Sequence, residues 1–108
     1  MALLTMTNNL FYYRARLLKV VDGDTIDVSL DLGFKTHCIQ RLRLLRVDAP
    51  ERGRPGYQEA TALTSGLLQE AEIVVHTERR DSFGRWLAEV WADGGSVNDA
   101  LVSQGWAA

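Results

Sequence analysis

The sequence predicts a mainly β domain with two helices, in the order β-β-β-α-β-β-α. Three observations support this fold class. Apolar and polar side chains alternate along several stretches of the first half of the chain, as in half-buried strands. The turn dipeptide Asp22-Gly23 separates two of these stretches. Apolar residues have helical spacing in the middle of the chain, and Ser96 offers an N-cap for a second helix near residue 100.

The first half of the chain is predicted to form a meander of three antiparallel strands. Basic residues alternate with apolar ones in the first strand, and aliphatic residues alternate with polar ones in the second. In the third strand, Leu42 and Leu44 fall on the face opposite Arg41 and Arg43. These three strands are predicted at residues 10–21, 25–30 and 35–47.

The second half is predicted to add a helix, two strands and a short closing helix. The first helix covers residues 58–70, although Gly66 is unfavourable within it. Strands follow at 73–76 and 87–91, separated by the polar turn segment ERRDSFGR. Ser96 is a candidate N-cap for a helix over 97–104. This order fits a five-stranded OB-fold barrel, whose closure removes exposed sheet edges and which often binds oligonucleotides.

Length and charge limit the functions to consider. A chain of 108 residues builds one core, so we expect one domain over 10–108 after a flexible leader over 1–9. The net charge of -2 excludes a protein that coats nucleic acid through bulk positive charge. Cys38 is the only cysteine, which excludes an intrachain disulfide and a zinc site built from cysteines.

Acidic residues follow the ends of two predicted strands. Asp22 and Asp24 flank the first turn, and Asp48 and Glu51 follow the third strand. Neighbouring strands of a barrel can bring these positions together. Asp24 and Asp48 would then offer only oxygen ligands, which suit a hard cation such as Ca²⁺ or Mg²⁺. The alternative interpretation is that Asp22 and Asp24 only build a turn.

Two arginines are candidates for binding phosphate near these acids. Arg43 precedes Asp48 by five residues on the third strand, and Arg85 lies before the fifth. A guanidinium can bind two phosphate oxygens and stays charged, so it suits a transition state that gathers negative charge. Either arginine alone is more commonly a surface ion-pair partner. Their occurrence together with the acids indicates a phosphate site.

Four motifs in this order resemble the staphylococcal nuclease or thermonuclease domain family: VVDGDTI, RLRLLRVDAPE, DSFGRWLAEVW and GGSVNDALVSQGWA. The similarity extends from about Leu17 to Ala107. It implies a Ca²⁺-dependent nuclease acting on DNA and RNA and leaving 3'-phosphate ends. Asp24, Asp48 and the backbone carbonyl of Ala49 would bind Ca²⁺.

The resemblance also assigns the remaining residues. Asp22 would lie close to the metal ligands, and Glu51 would orient or deprotonate the attacking water. Arg43 and Arg85 would contact the scissile phosphate, and Arg85 would favour departure of the 5'-oxygen. Three departures from the family's namesake concern Ala49, which replaces a threonine; Phe83, which replaces a tyrosine; and the C-terminal helix, which has no counterpart before Ala108.

The last departure leads us to expect uncovered apolar surface at Leu101, Val102 and Trp106, and therefore either a monomer or a weak homodimer. The start of the sequence lacks a secretory pattern, which predicts a cytoplasmic protein unless a leader was removed. No membrane partner is expected. Two functional alternatives stay open: a non-catalytic OB-fold module that binds nucleic acid or protein, and a structural or inhibitor-like barrel whose acids are turn residues.

Overall fold

The structure is a computed structural model that describes residues 10–108, so the predicted leader over 1–9 lies outside the described residues. Within this range the chain forms strands and helices in the predicted order, with one added two-residue strand. The elements are β1 (Tyr12–Asp22), β2 (Thr25–Asp31), β3 (His37–Leu44), α1 (Tyr57–Leu68), β4 (Ile73–Arg80), β5 (Trp86–Ala92), β6 (Gly95–Ser96) and α2 (Val97–Ser103).

Strands β1 to β5 close into a barrel. Their order in the sheet is β3-β2-β1-β4-β5, with β6 added beside β5. The pairs within this order are antiparallel, and the closing pair between β3 and β5 is parallel. The long strand β1 pairs with two neighbours: its first part pairs with β4, and most of its length pairs with β2. The predicted five-stranded OB-fold barrel is confirmed.

The core fills the barrel interior and continues under the helices. Ile26, Val28, Leu42, Val75 and Val90 are completely buried and come from four strands, as expected for inward-facing positions at period two. Helix α1 packs against β1 and α2. No helix among residues 10–108 is long and apolar enough to cross a membrane.

Two strands end three or more residues away from their predicted ends, whereas the other strand bounds differ by one or two residues. β3 stops at Leu44, three residues before the predicted end, because Arg46 adopts a left-handed conformation with φ of 64°. β4 continues to Arg80, so the first three residues of ERRDSFGR belong to the strand. The polar side chains of this part are exposed, which is why composition alone indicated a turn.

The closing helix also differs in one respect from expectation. Ser96 caps α2 as predicted, since its hydroxyl accepts a hydrogen bond of 3.1 Å from the backbone N–H of Asp99. The expected apolar patch is wrong at Leu101, which is completely buried, while Val102 and Trp106 are half-buried against the core. The C-terminal segment therefore packs its own apolar side chains.

Helix α1 packs closely against the turn between β1 and β2. A Cβ atom at Gly23 would lie 2.8 Å from the Cβ of Ala60 and 2.9 Å from the Cβ of Ala49, too close for any side chain. The same turn is hydrogen-bonded to the helix, because the Thr64 hydroxyl donates to the Gly23 carbonyl at 2.7 Å. The Tyr57 hydroxyl donates to the Val21 carbonyl at 3.0 Å. The helix thus fixes the turn that carries Asp22 and Asp24.

Gly23→Ala should destabilise the protein by about 1–3 kcal/mol, because the added methyl forces packed backbone apart. Gly66→Ala is the matched control: a Cβ there meets nothing within 4 Å, and it lies inside α1. That variant should gain about 0.5–1 kcal/mol from helix propensity. Urea unfolding of both variants checks the prediction, and equal stabilities would refute the close contact at Gly23.

Candidate functional site

A cleft of about 130 Å³ lies beside the turn between β1 and β2. Its walls come from distant parts of the chain. All the positions selected from the sequence line it: Asp22, Asp24, Arg43, Asp48, Ala49, Glu51 and Arg85. The fold brings these residues together, and the chemical role of each stays a prediction.

Strand pairing explains why these residues meet. Asp22 ends β1, and Arg43 lies directly opposite Thr25 at the start of β2. The parallel pair is offset, so that β5 begins level with Leu42 near the end of β3. This offset carries Arg85, which immediately precedes β5, to the same place.

The carboxylate of Asp24 is the most enclosed group of the cleft, with a residue exposure of 5%. Its Oδ1 accepts a hydrogen bond of 2.9 Å from the Thr25 hydroxyl. Its Oδ2 accepts one of 2.9 Å from the backbone N–H of Ala49 and also contacts Nη1 of Arg43. Asp24 therefore connects the turn to β3 and to the segment after it, which excludes the interpretation that it only builds a turn.

Arg43 and Asp48 form the open side of this arrangement. Nη2 of Arg43 lies 3.9 Å from Oδ1 of Asp48, whose side chain is 70% exposed. The Asp48 backbone is fixed, since its N–H donates to the Trp106 carbonyl at 2.9 Å. Asp48 therefore has a fixed backbone and a carboxylate that is accessible to solvent, whereas the carboxylate of Asp24 is enclosed.

Arg85 is held by a residue that the sequence analysis did not select. Oδ2 of Asp81 lies 2.8 Å from both Nε and Nη2 of Arg85. Oδ1 of Asp81 accepts hydrogen bonds of 2.9 Å from the backbone N–H groups of Phe83 and Arg85. An aspartate at the start of a short loop that contains glycine is the sequence signal for such a turn.

Charge around Asp81 stabilises its ionised form. Burial acts to raise its pKa, but hydrogen bonds from the Arg85 and Phe83 backbones and from the Arg85 side chain outweigh it, so the pKa is lowered. The Arg85 guanidinium also lies 5.3 Å above the Phe83 ring, which is 81% exposed. Arg85 is therefore oriented before any ligand binds.

The acidic side of the cleft carries unbalanced negative charge. The pKa of Asp22 is raised, first by burial and then by the negative charges of Asp24 and Glu51. Arg52 and Arg85 oppose this effect only in part. Such a site gains from a bound cation, which would relieve the repulsion between its carboxylates.

The donor atoms of the cleft fit a hard cation. No three acidic, histidine or cysteine side chains form a metal-binding group within the described part of the chain. The predicted ligand set needs only two carboxylates, from Asp24 and Asp48, and the Ala49 carbonyl. All three donors are oxygens, as Ca²⁺ and Mg²⁺ prefer. Arg43 competes for Asp24, and its buried Nη1 has no well-formed hydrogen bond to any of residues 10–108.

Asn98 is a second residue that was not predicted from the sequence, and it connects the elements that border the cleft. Its side chain is fully buried, and its Oδ1 accepts from the Val90 N–H at 2.9 Å. Its Nδ2 donates to the Leu45 and Ala88 carbonyls at 3.0 Å each. One amide therefore joins α2, β5 and the chain leaving β3.

Comparison with known proteins supports the resemblance. A family model described as Staphylococcal nuclease homologue matches residues 41–108. An uncharacterized endonuclease of Escherichia coli O157:H7 is 34% identical over 83% of this chain and 56% of its own length. Protein ParB of Escherichia coli is 31% identical, over 87% of this chain and 55% of that protein. A thermonuclease of Staphylococcus hyicus is 33% identical, over 83% and 55%. The chain spans about half the length of these curated relatives.

Asp24→Asn should destabilise the metal-free protein by about 1–3 kcal/mol, because it removes a buried charge partner of Arg43 and weakens the hydrogen bond to Ala49. Asp48→Asn removes the same charge from an exposed side chain and should change stability by less than about 0.5 kcal/mol. Denaturant unfolding in a chelator compares the two variants. Equal losses would show that Asp24 does not organise the cleft.

Proposed function

The chain belongs to the staphylococcal nuclease homologue family, and we propose that it is a Ca²⁺-dependent nuclease that hydrolyses phosphodiester bonds of DNA and RNA. One observation carries the proposal: two arginines and four acidic residues from four separate places in the chain line a single small cleft. Arginine side chains, which can bind phosphate, therefore lie next to oxygen atoms that can bind a hard metal ion. A module that only binds nucleic acid has no need for this acidic group.

Each residue has a role in the proposed reaction. Asp24, Asp48 and the Ala49 carbonyl would hold the cation, which when bound neutralises phosphate charge. Arg43 and Arg85 bind the scissile phosphate and stabilise the charge that it gains in the transition state. Glu51 orients or deprotonates the attacking water. Asp81 positions Arg85 for this task.

The proposed products follow from the direction of attack. Water attacks phosphorus, the bond to the 5'-oxygen breaks, and Arg85 assists departure of that oxygen. One product then carries a 3'-phosphate and the other a 5'-hydroxyl. Calcium suits the site better than magnesium, because it accepts irregular oxygen coordination whereas magnesium requires near-octahedral geometry.

Incubation of the purified protein with labelled single-stranded DNA and RNA, in Ca²⁺, in Mg²⁺ or in chelator, tests the proposal. We expect cleavage in Ca²⁺, less in Mg²⁺ and none in chelator, with 3'-phosphate ends detected by mass spectrometry. Full activity in chelator would refute the metal requirement. Binding without cleavage under every condition would instead favour a non-catalytic OB-fold module.

Arg85→Lys should reduce the single-turnover rate by about a hundred- to a thousandfold, on the scale of losing one preorganised donor to a transition state. Lysine keeps the charge but loses the planar two-pronged contact, so oligonucleotide affinity should change little. Arg41→Lys is the control, since Arg41 pairs with Asp27 outside the cleft. Equal rates in wild type and Arg85→Lys would remove Arg85 from the mechanism.

A further inference from the structure

The barrel has a second and larger cavity, which we call the barrel-mouth cavity, of about 380 Å³. It lies where β1 and β3 begin and where β2 and β4 end, which is one end of the barrel. The side chains that form its walls face inward, since each is buried itself or lies opposite a buried residue on a neighbouring strand. These side chains are Tyr13, Leu30, Cys38, Gln40, Thr77 and Trp86.

The walls are mainly apolar and the rim is polar, an arrangement typical of small-molecule sites in barrel mouths. Trp86 offers an indole to the cavity, and Gln40 uses one N–H to donate to the Cys38 sulfur at 3.1 Å. Glu78 is the charged residue of the lining and lies at its exposed rim. No lysine, arginine or histidine among residues 10–108 lies within ion-pairing distance of it. Its carboxylate is therefore available to accept a hydrogen bond from a ligand.

The cavity and the catalytic cleft approach each other at the start of β5, although their linings share no residue. Arg85 lines the cleft and Trp86 lines the cavity, with Cα atoms about 3.8 Å apart. Arg79 and Arg80 end β4, where Arg80 lies opposite Trp86, and neither arginine forms an ion pair with an acidic group in the described part of the chain. The Arg80 guanidinium is 5.6 Å from the Trp86 ring centre. A strand with a phosphate at Arg85 would thus find both positive charge and an aromatic wall next to it.

We propose that the barrel-mouth cavity is a subsite for one nucleobase of the bound strand, and that Glu78 makes it favour a base with an exocyclic amino group. The proposal rests on the proposed function. An apolar wall with an indole suits the flat face of a base. A carboxylate accepts from the exocyclic amino group of cytosine or adenine, whereas thymine and uracil carry a carbonyl oxygen at that position.

Titration of the labelled protein with deoxycytidine and with thymidine, followed by NMR, tests the subsite without any cleavage. Deoxycytidine should shift the amide signals of Gln40, Thr77 and Trp86, and thymidine should bind about tenfold more weakly, the scale of one hydrogen bond to a charged group. Glu78→Gln should bring the two affinities together, since an amide can both donate and accept. Unequal affinities that survive in Glu78→Gln would overturn the role of Glu78.

Two substitutions on adjacent residues of β3 supply the matched control. Cys38→Phe fills the cavity, whereas Ile39→Phe adds the same ring at an outward position that is 70% exposed. Cys38→Phe should lose nucleoside binding at least tenfold and Ile39→Phe should keep it. Equal binding by both variants, or shifts confined to the cleft, would overturn the subsite. Glu78→Gln changes little volume, so the proposal stays testable if Cys38→Phe does not fold.

Cleavage assays separate this inference from the proposed function. A protein that cleaves oligo(dC) and oligo(dT), but whose cavity amide signals do not shift when a nucleoside is added, is a nuclease without this subsite. A protein that binds deoxycytidine in the cavity and cleaves nothing would contradict the nuclease proposal alone. Where the protein both binds deoxycytidine in the cavity and cleaves DNA, oligo(dC) should have a KM about tenfold below that of oligo(dT), and Glu78→Gln should remove this difference in KM.

Discussion

The enclosed carboxylate of Asp24 is the group around which the cleft is organised. Burying a charge is unfavourable unless it is paired and hydrogen-bonded, so its neighbours must hold fixed positions. They are the Thr25 hydroxyl, the Ala49 N–H and the Arg43 guanidinium, one from each part of the chain that meets there. The location of the turn, of β3 and of the segment after β3 therefore depends on one side chain.

Packing on the other side of the turn reinforces this constraint. Gly23 lets α1 approach until the Cβ of Ala60 is within contact of its backbone, and Thr64 hydrogen-bonds the carbonyl at the same point. Asn98 fixes the relation between β5 and the chain leaving β3. A cleft framed by a packed helix, a closed barrel and a buried amide needs little rearrangement to present its charged groups, which is the condition for electrostatic stabilisation.

Much of this could be predicted from the sequence because its signals are local. The alternation of apolar and polar residues, the turn dipeptides and the helix caps can each be recognised from a few neighbouring residues. The cleft residues were assigned roles from the family resemblance, which the family match over residues 41–108 confirms. The predicted end of β4 was wrong because Glu78 to Arg80 are all polar and exposed, so the sequence shows no alternation of apolar and polar residues there. Asp81 and Asn98 were missed for a different reason. Most of their hydrogen bonds are to backbone groups, and the turn signal at Asp81 does not show that its carboxylate also holds Arg85.

The two arginines of the cleft are preorganised in different ways, and the difference has a consequence for charge. Arg85 is held by Asp81, which lies outside the acidic group, so its orientation does not depend on what occupies the cleft. Arg43 shares Asp24 with the predicted cation site, so its partner would change if a cation bound the carboxylate. A cation at Asp24 would leave the Arg43 guanidinium without its strongest neighbour. A phosphate group in the cleft would then supply a new anionic partner, so in the proposed reaction the carboxylate that orders the cleft would also release Arg43 for the substrate.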